Sequence, residues 1–225
     1  MNELALFAGG GGGILASTLL GIRTVCAVEH SASAQRLLVR RQNEGILEPF
    51  PIWDDVRTFD GRPWEGVAEI VSGGFPCQAF STAAAGRNVA DNLWPEMARV
   101  VADVAPWYVF AENVSWQAIE RAAEDCRAMG YRTSAIALGA GDLGGDHVRR
   151  RYWLLAHADD KSQLRRAINA EVALGSLLRH GIWQAHPDEP GMADGMADRV
   201  DRYTAIGNGQ VPVVAAAALC ILTLD

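Results

Sequence analysis

A doubly wound α/β fold, with a mostly parallel sheet covered by helices on both faces, is the architecture this sequence predicts. Three observations carry the prediction. Short apolar runs alternate with helix-length segments through most of the 225 residues. Five consecutive glycines, at 9–13, follow the first apolar run, where a backbone must turn sharply and can approach a ligand closely. A later run, Ala68-Glu69-Ile70-Val71-Ser72, breaks into Gly73-Gly74-Phe75-Pro76-Cys77-Gln78, a tight turn at what should be the carboxyl edge of the sheet.

In chain order, residues 4–7 read as the first strand and 14–20 as the helix after the glycines. Thr24 to Val28 reads as a second strand ending at Glu29, followed by a helix over 32–42. Further strands fit 68–72, 106–111, 132–138 and 151–156, and helices fit 92–104 and 115–129. Residues 161–179 pattern as one amphipathic helix, with Leu164, Ile168, Val172 and Leu178 on its apolar stripe and Lys161, Arg165 and Arg166 off it. Residues 181–198 are loop-like, and a last helix fits 211–222. Gly-Met-Ala-Asp occurs at 191–194 and again at 195–198, too little for a repeat architecture.

The hydrophobic fraction of 49% and a mean hydropathy near zero are those of an ordinary globular protein. No apolar run approaches the ~18–20 residues of a membrane span, and the amino terminus lacks the pattern of a secretory signal, so the cytoplasm is the expected compartment. Four scattered cysteines without a CxxC pair, and five dispersed histidines, suggest neither a disulfide framework nor a metal site. The net charge of −7 argues against a protein that grips nucleic acid over its whole surface. Residues 146–202, however, hold nine basic and nine acidic side chains, so an anionic partner should meet the carboxy-terminal half.

Pro76 fixes its own φ and so holds the thiol of Cys77 in place. Glu112-Asn113-Val114 follows another strand, and Arg149-Arg150-Arg151 precedes a third. A positioned thiol, a carboxyl and an arginine at three strand ends are what nucleophilic attack on an electron-poor ring requires. A free cysteine is also often just a small buried hydrophobe. The glycines with Glu29 suggest a nucleoside-cofactor pocket, the carboxyl being placed for a ribose diol. No Lys-Ser/Thr follows the glycines, which disfavours an NTP loop, and the pattern leaves a dinucleotide and S-adenosylmethionine both open.

The full set, Leu6-Phe7-Ala8-Gly9, Glu29, Asp55, Phe75 to Ser81, Glu112-Asn113-Val114, Arg149/Arg151 and Gly207-Asn208-Gly209-Gln210-Val211-Pro212, resembles in order the cytosine-C5 DNA methyltransferases over residues 4–222. The compact size and the ending look most like the small bacteriophage and prophage members. The resemblance implies a Rossmann-like catalytic and cofactor-binding domain (1–157), a very small target-recognition region (158–202) and a segment returning to the catalytic domain (203–225). It implies S-adenosyl-L-methionine as cofactor, double-stranded DNA as partner, and no metal. Cys77 would add to C6 of a flipped cytosine. Glu112 would hydrogen-bond N3 and the exocyclic amine, and Arg151, with Arg149 beside it, would contact O2. The family pattern gives the cofactor to Phe7, Ala8, Gly9, Gly11, Glu29, His30, Asp55, Pro76, Leu93, Asn208 and Val211, and puts Gln78 and Ser81 beside the DNA.

Several positions depart from that pattern. Ala5 stands where an aspartate is frequent, His30 replaces an aromatic or aliphatic residue, and Asp146-His147 replace Pro-Gln. Only about fifty residues separate the arginines from Gly207. So small a lobe implies a short site, roughly two to four base pairs at ~1–3 kcal/mol per good contact. Arg165, Arg166, Trp183 and Gln184 are the candidate readers, although Trp183 also suits a minimal lobe core. A tRNA cytosine-C5 methyltransferase, or a catalytically weak DNA-binding or regulatory relative, are the alternatives. An unidentified protein partner and the oligomeric state are left open.

Overall fold

The computed structural model describes residues 1–76, 92–145, 149–179 and 209–224. Seven strands form one sheet in the order β3-β2-β1-β4-β5-β7-β6. They are β1 (Asn2–Leu6), β2 (Arg23–Val28), β3 (Ile52–Trp53), β4 (Ile70–Gly74), β5 (Tyr108–Asn113), β6 (Arg132–Leu138) and β7 (Arg151–His157). The first five pair in parallel. β7 inserts antiparallel between β5 and β6, so the sheet is mixed at one end. The helices are α1 (Gly12–Leu19), α2 (Ala32–Asn43), α3 (Trp94–Val104), α4 (Trp116–Ala128), α5 (Ser162–Ala167), α6 (Ala170–Leu177) and α7 (Pro212–Leu224).

Local chemistry sets the helix ends. The Ser31 and Ser115 hydroxyls accept from the backbone N–H of Ala34 and Ala118, capping α2 and α4. Pro95 opens α3, and Ala105 closes it in the left-handed region at φ 46° just before Pro106.

Alternation along the strands divides the core into two faces. Val71, Val109, Ala111 and Leu154 pack under Met97 and Val101 of α3 and Ile119 and Ala122 of α4. Ile70, Tyr108, Phe110, Trp153 and Leu155 point the other way, against α5, α6 and α7. α7 is apolar on every side because it is enclosed by the sheet, α1 and α6. Leu164, Ile168, Ala170 and Leu177 join this second cluster, so residues 162–177 share the core of the sheet domain.

The single helix expected over 161–179 is two helices. Asn169 sits at φ 48°, breaks the helical path and rotates α6 relative to α5. Leu164 and Ile168 are therefore buried as the stripe requires, whereas Val172 and Leu178 are exposed and Ala170 and Leu177 take the inward positions. The two-residue strand β3 gave no periodic signal of its own. Among the described residues no helix is long and apolar enough to cross a membrane.

Glu3 is a buried carboxyl at the heart of this frame. It accepts from the hydroxyls of Ser17 and Ser72, both at 2.7 Å, and of Thr24 at 2.8 Å, joining β1 to α1, β2 and β4. Burial raises its pKa, and the three hydroxyls pull it back in part. The folded state therefore holds this proton more tightly than the unfolded chain does. Its contribution is full below the ordinary glutamate range and is lost as pH rises through the raised folded value. Urea denaturation across a pH series should show that decline in the wild type and a flatter line in Glu3→Gln. Equal slopes would assign the dependence to other groups.

Candidate active site

β1 and β4 lie side by side while the chain continues from them in opposite directions, and a cleft opens there beyond the strand ends. Phe7, Ala8, Gly9, Gly73, Gly74 and Glu112 line it, with Gln210 from the carboxy-terminal segment. Glu112 is the last outward-alternating residue of β5 on the α7 face, and only 8% of it is exposed. Because β7 runs antiparallel, its first residue arrives at the same edge, with Glu112 opposite Trp153 and Asn113 opposite Tyr152. Arg151 Nε consequently lies 3.1 Å from Glu112 Oε1. Arg149 Nη2 donates to the Gly209 carbonyl at 2.6 Å.

Burial raises the pKa of Glu112, while the Arg151 charge, a Gln210 hydrogen bond and the Arg149 charge oppose it. Arg149 is itself lowered, by burial first and then by Arg151. A Cβ on Gly74, beside Glu112 in register, would sit 2.6 Å from Glu112 Oε2, so the carboxyl fills the space that a side chain there would take.

The turn that leaves β4 is pinned from both flanks. Asn113 Nδ2 donates to the Phe75 carbonyl at 2.8 Å, and the Leu93 N–H donates to the Pro76 carbonyl at 3.1 Å. The Phe75 ring packs 5.1 Å from that of buried Trp94. The anchors on each side of the segment containing Cys77 are thus fixed. Cys77, Gln78, Ser81, Trp183, Gln184 and Asn208 lie outside the described residues. Cys26, Cys126 and Cys220 are buried, with burial pushing their thiols up to about 11, 12 and 11, which suits inert packing groups.

The first glycine turn is held in the left-handed region at Phe7 (φ 53°), Gly9 (φ 53°) and Gly11 (φ 86°). Glu29 clamps it, accepting from the Gly9 N–H at 2.7 Å through one oxygen and from the Ser31 N–H at 2.6 Å through the other. The Ala8 N–H donates to the Val28 carbonyl, drawing the turn over the end of β2. His30 Nδ1 is 3.1 Å from the Asp54 carbonyl oxygen, and the Asp55 carboxylate accepts from the Arg57 N–H at 2.9 Å. Glu29, His30 and Asp55 therefore gather at the adjoining ends of β2 and β3. Val211 leads into α7, its carbonyl accepting from the Ala215 N–H.

The family model for C-5 cytosine-specific DNA methylase covers residues 1–185. This chain belongs to the C-5 cytosine-specific DNA methylase family. It is 35% identical over 115 residues to the Type II methyltransferase M.Eco47II of Escherichia coli, covering 49% of this chain and 26% of that protein. It is 26% identical over 167 residues to the Type II methyltransferase M.CviJI of Paramecium bursaria Chlorella virus IL3A, covering 71% of this chain and 44% of that one. The S. pombe Dnmt2 methyltransferase structure superposes with a TM-score of 0.56 at 22% identity, over 70% of this chain and 50% of that chain. The alignments thus span about a quarter to a half of these relatives' own length.

Two of the basic residues expected to read bases in this C-5 methylase chain stand apart from its cleft. Arg165 is ion-paired with Glu171. Arg166 lines a groove with Trp107 and Tyr108, at the opposite edge of the sheet. Tyr108 opens β5 and Glu112 is four residues on, a separation of roughly 13 Å along the strand. The structure does not bring this pair to the carboxyl, because β7 carries the chain back across the sheet before α5 begins. Asp146 and His147, the substitutions ahead of the arginines, lie outside the described residues.

Gln210 is the residue that motif reading passed over. It seats so closely that a Cβ on Gly12 would lie 2.1 Å from its carbonyl oxygen, and one on Gly13 2.5 Å from its Oε1. Its place beside Asn208 in the last glycine motif was the available signal. A Gly12→Ala substitution must displace backbone, so it is expected to cost about 1–3 kcal/mol of stability. A thermal or urea melt compared with an exposed-glycine control such as Gly175→Ala, which has open space, checks this. Equal melts would mean that the segment yields freely.

Proposed function

We propose that this chain is a DNA cytosine-C5 methyltransferase that uses S-adenosyl-L-methionine and Cys77 as nucleophile. The observation that carries the reading is the buried Glu112 held by Arg151 at a strand end, beside the anchored turn that leads into Cys77.

The cleft fits the cofactor. A Cβ added at Gly9 would meet nothing within 4 Å, so the turn faces open space where a ligand can approach the backbone. Phe7, Ala8, Gly9 and Gly11 would hold the methionine side, Glu29 the ribose, and His30, Asp55 and Leu93 the adenosine, with Pro76, Asn208 and Val211 completing the enclosure. Bound there, S-adenosyl-L-methionine supplies an electrophilic methyl group to C5.

The chain's own residues perform the rest. The Cys77 thiolate forms a bond to C6, which makes C5 nucleophilic. Neutral Glu112 donates to N3 and accepts from the exocyclic amine, and Arg151 with Arg149 beside it stabilises charge gathering at O2. After C5 is methylated its proton leaves to a base, the C6–S bond breaks and Cys77 is regenerated. Since C6 is inaccessible in a stacked duplex, the cytosine must be flipped, with Gln78 and Ser81 beside the DNA. We assign base reading to the reduced recognition region, 158–202, with Arg165, Arg166, Trp183 and Gln184 as its candidate readers. The short segment implies a site of roughly two to four base pairs.

The test is incubation of the protein with methyl-labelled S-adenosyl-L-methionine and, separately, unmethylated duplex DNA and tRNA. Label at cytosine C5 in DNA supports the reading. Label in tRNA alone overturns the substrate, and no label despite cofactor binding overturns the activity.

A further inference from the structure

We propose that Gln210 is a positioning residue for Glu112, holding one carboxyl oxygen free of Arg151 and coupling the carboxy-terminal segment to the catalytic cleft. The inference rests on the reading of Glu112 as the group that engages cytosine.

The two oxygens of Glu112 face different partners. Oε1 meets Arg151 Nε at 3.1 Å. Oε2 lies over Gly74, 2.6 Å from where a Cβ would stand, and Gln210 Nε2 lies 3.2 Å from that same point. The Gln210 side chain hydrogen-bonds the carboxyl from that side. The remainder of residues 209–210 is locked elsewhere. Gln210 Oε1 and its backbone carbonyl press on Gly13 and Gly12, and the Gly209 carbonyl takes the Arg149 hydrogen bond.

Three glycines, at 12, 13 and 74, therefore make the seat for one glutamine. Without it, the nearest alternative for Glu112 is the planar guanidinium of Arg151, which accommodates both oxygens of a carboxylate in a bidentate fork. A carboxyl turned onto that fork presents neither oxygen to a base. The Gln210 NH₂ is moreover the same type of donor as the exocyclic amine of cytosine. It keeps Oε2 in an acceptor geometry that the base can take over on arrival.

The charged groups facing Glu112 among the described residues are Arg151 on β7 and Arg149 just before it. Against that fixed background two variants isolate Gln210. Gln210→Met keeps the volume and deletes the donor, and Gln210→Glu replaces the donor with a second carboxyl. The direct readout is the Glu112 side-chain carboxyl followed by ¹³C NMR titration in the ligand-free full chain, assigned with Glu112→Gln. Glu112 should titrate at lower pH in Gln210→Met, where the carboxylate turns onto the Arg151 fork, and at higher pH in Gln210→Glu, where a second carboxyl faces it. In turnover assays kcat should fall about tenfold or more while KM for DNA and cofactor stays within about threefold. The high-pH limb of the kcat profile should move with the titration. An unmoved Glu112 titration in both variants overturns the proposal, as does a loss confined to cofactor affinity. If the wild type transfers no methyl group yet its Glu112 titration moves in the variants, the positioning contact stands and the catalytic reading fails.

Discussion

Cys77→Ser is expected to lower methyl transfer to DNA on the order of 10⁴-fold or more while leaving S-adenosyl-L-methionine affinity within about threefold. The reacting form of cysteine is the thiolate, which a neutral thiol with a pKa near 8.5 reaches readily and a serine hydroxyl does not. No other described cysteine can substitute. Cys26, Cys126 and Cys220 are buried in the packing layers, with thiols pushed up to about 11–12. Cys77 differs because the turn leading to it leaves β4 at the cleft and is tied by Asn113 to the Phe75 carbonyl and by Leu93 to the Pro76 carbonyl. Those ties do not involve the thiol, so the serine variant should keep its fold and its cofactor pocket. Single-turnover transfer, with calorimetric titration of the cofactor, separates the two effects. Transfer within tenfold of wild type would remove Cys77 from the mechanism.

Most of the fold was legible because period and punctuation agreed. Glycines 9–13 and residues 73–74 interrupt apolar runs at the places where β1 and β4 end, and serines stand where α2 and α4 begin. What was hidden depends on tertiary partners. The apolar run of β7 reads the same in either direction, so nothing in residues 151–157 announces that the strand inserts antiparallel between β5 and β6. Yet that reversal brings Arg151 to Glu112. Asn169 was hidden for another reason. The stripe formed by Leu164, Ile168, Val172 and Leu178 is a sound helical pattern, and one residue at positive φ changes its phase.

In the candidate site, the legible residues were those whose type already implies chemistry: Glu112, Arg149, Arg151, Glu29. The residues that hold them were harder, since an amide such as Gln210 or a glycine such as Gly74 carries no reactive signature. Arg165 and Arg166 show how little charge alone says about placement. A basic pair suggests an anionic partner, but where such a pair faces is decided by the path of the chain, and here α5 begins at the far sheet edge.

Glu112→Gln separates hydrogen bonding from proton donation, and it is expected to lower kcat about 10²- to 10³-fold with cytosine binding changed much less. A neutral carboxyl offers N3 a hydrogen and offers the exocyclic amine an acceptor oxygen. A glutamine amide offers both contacts in the same shape but gives up no proton to N3 as the adduct forms. Burial raises the Glu112 pKa and so extends the neutral form upward in pH, against the pull of Arg151, Gln210 and Arg149. Wild-type kcat should therefore fall as pH rises through that raised value, and the variant should lack this limb. The change also replaces the carboxyl that Arg151, itself 20% exposed, meets with an amide that cannot carry a negative charge. A loss of stability therefore accompanies the kinetic effect and must be measured beside it by thermal melting with and without cofactor. Glu112→Ala supplies the contrast, since it deletes the contacts as well as the proton and should weaken binding of a cytosine-containing duplex. If Glu112→Gln retained the high-pH limb, another group would set it. If it retained kcat, the carboxyl would serve only to place the base.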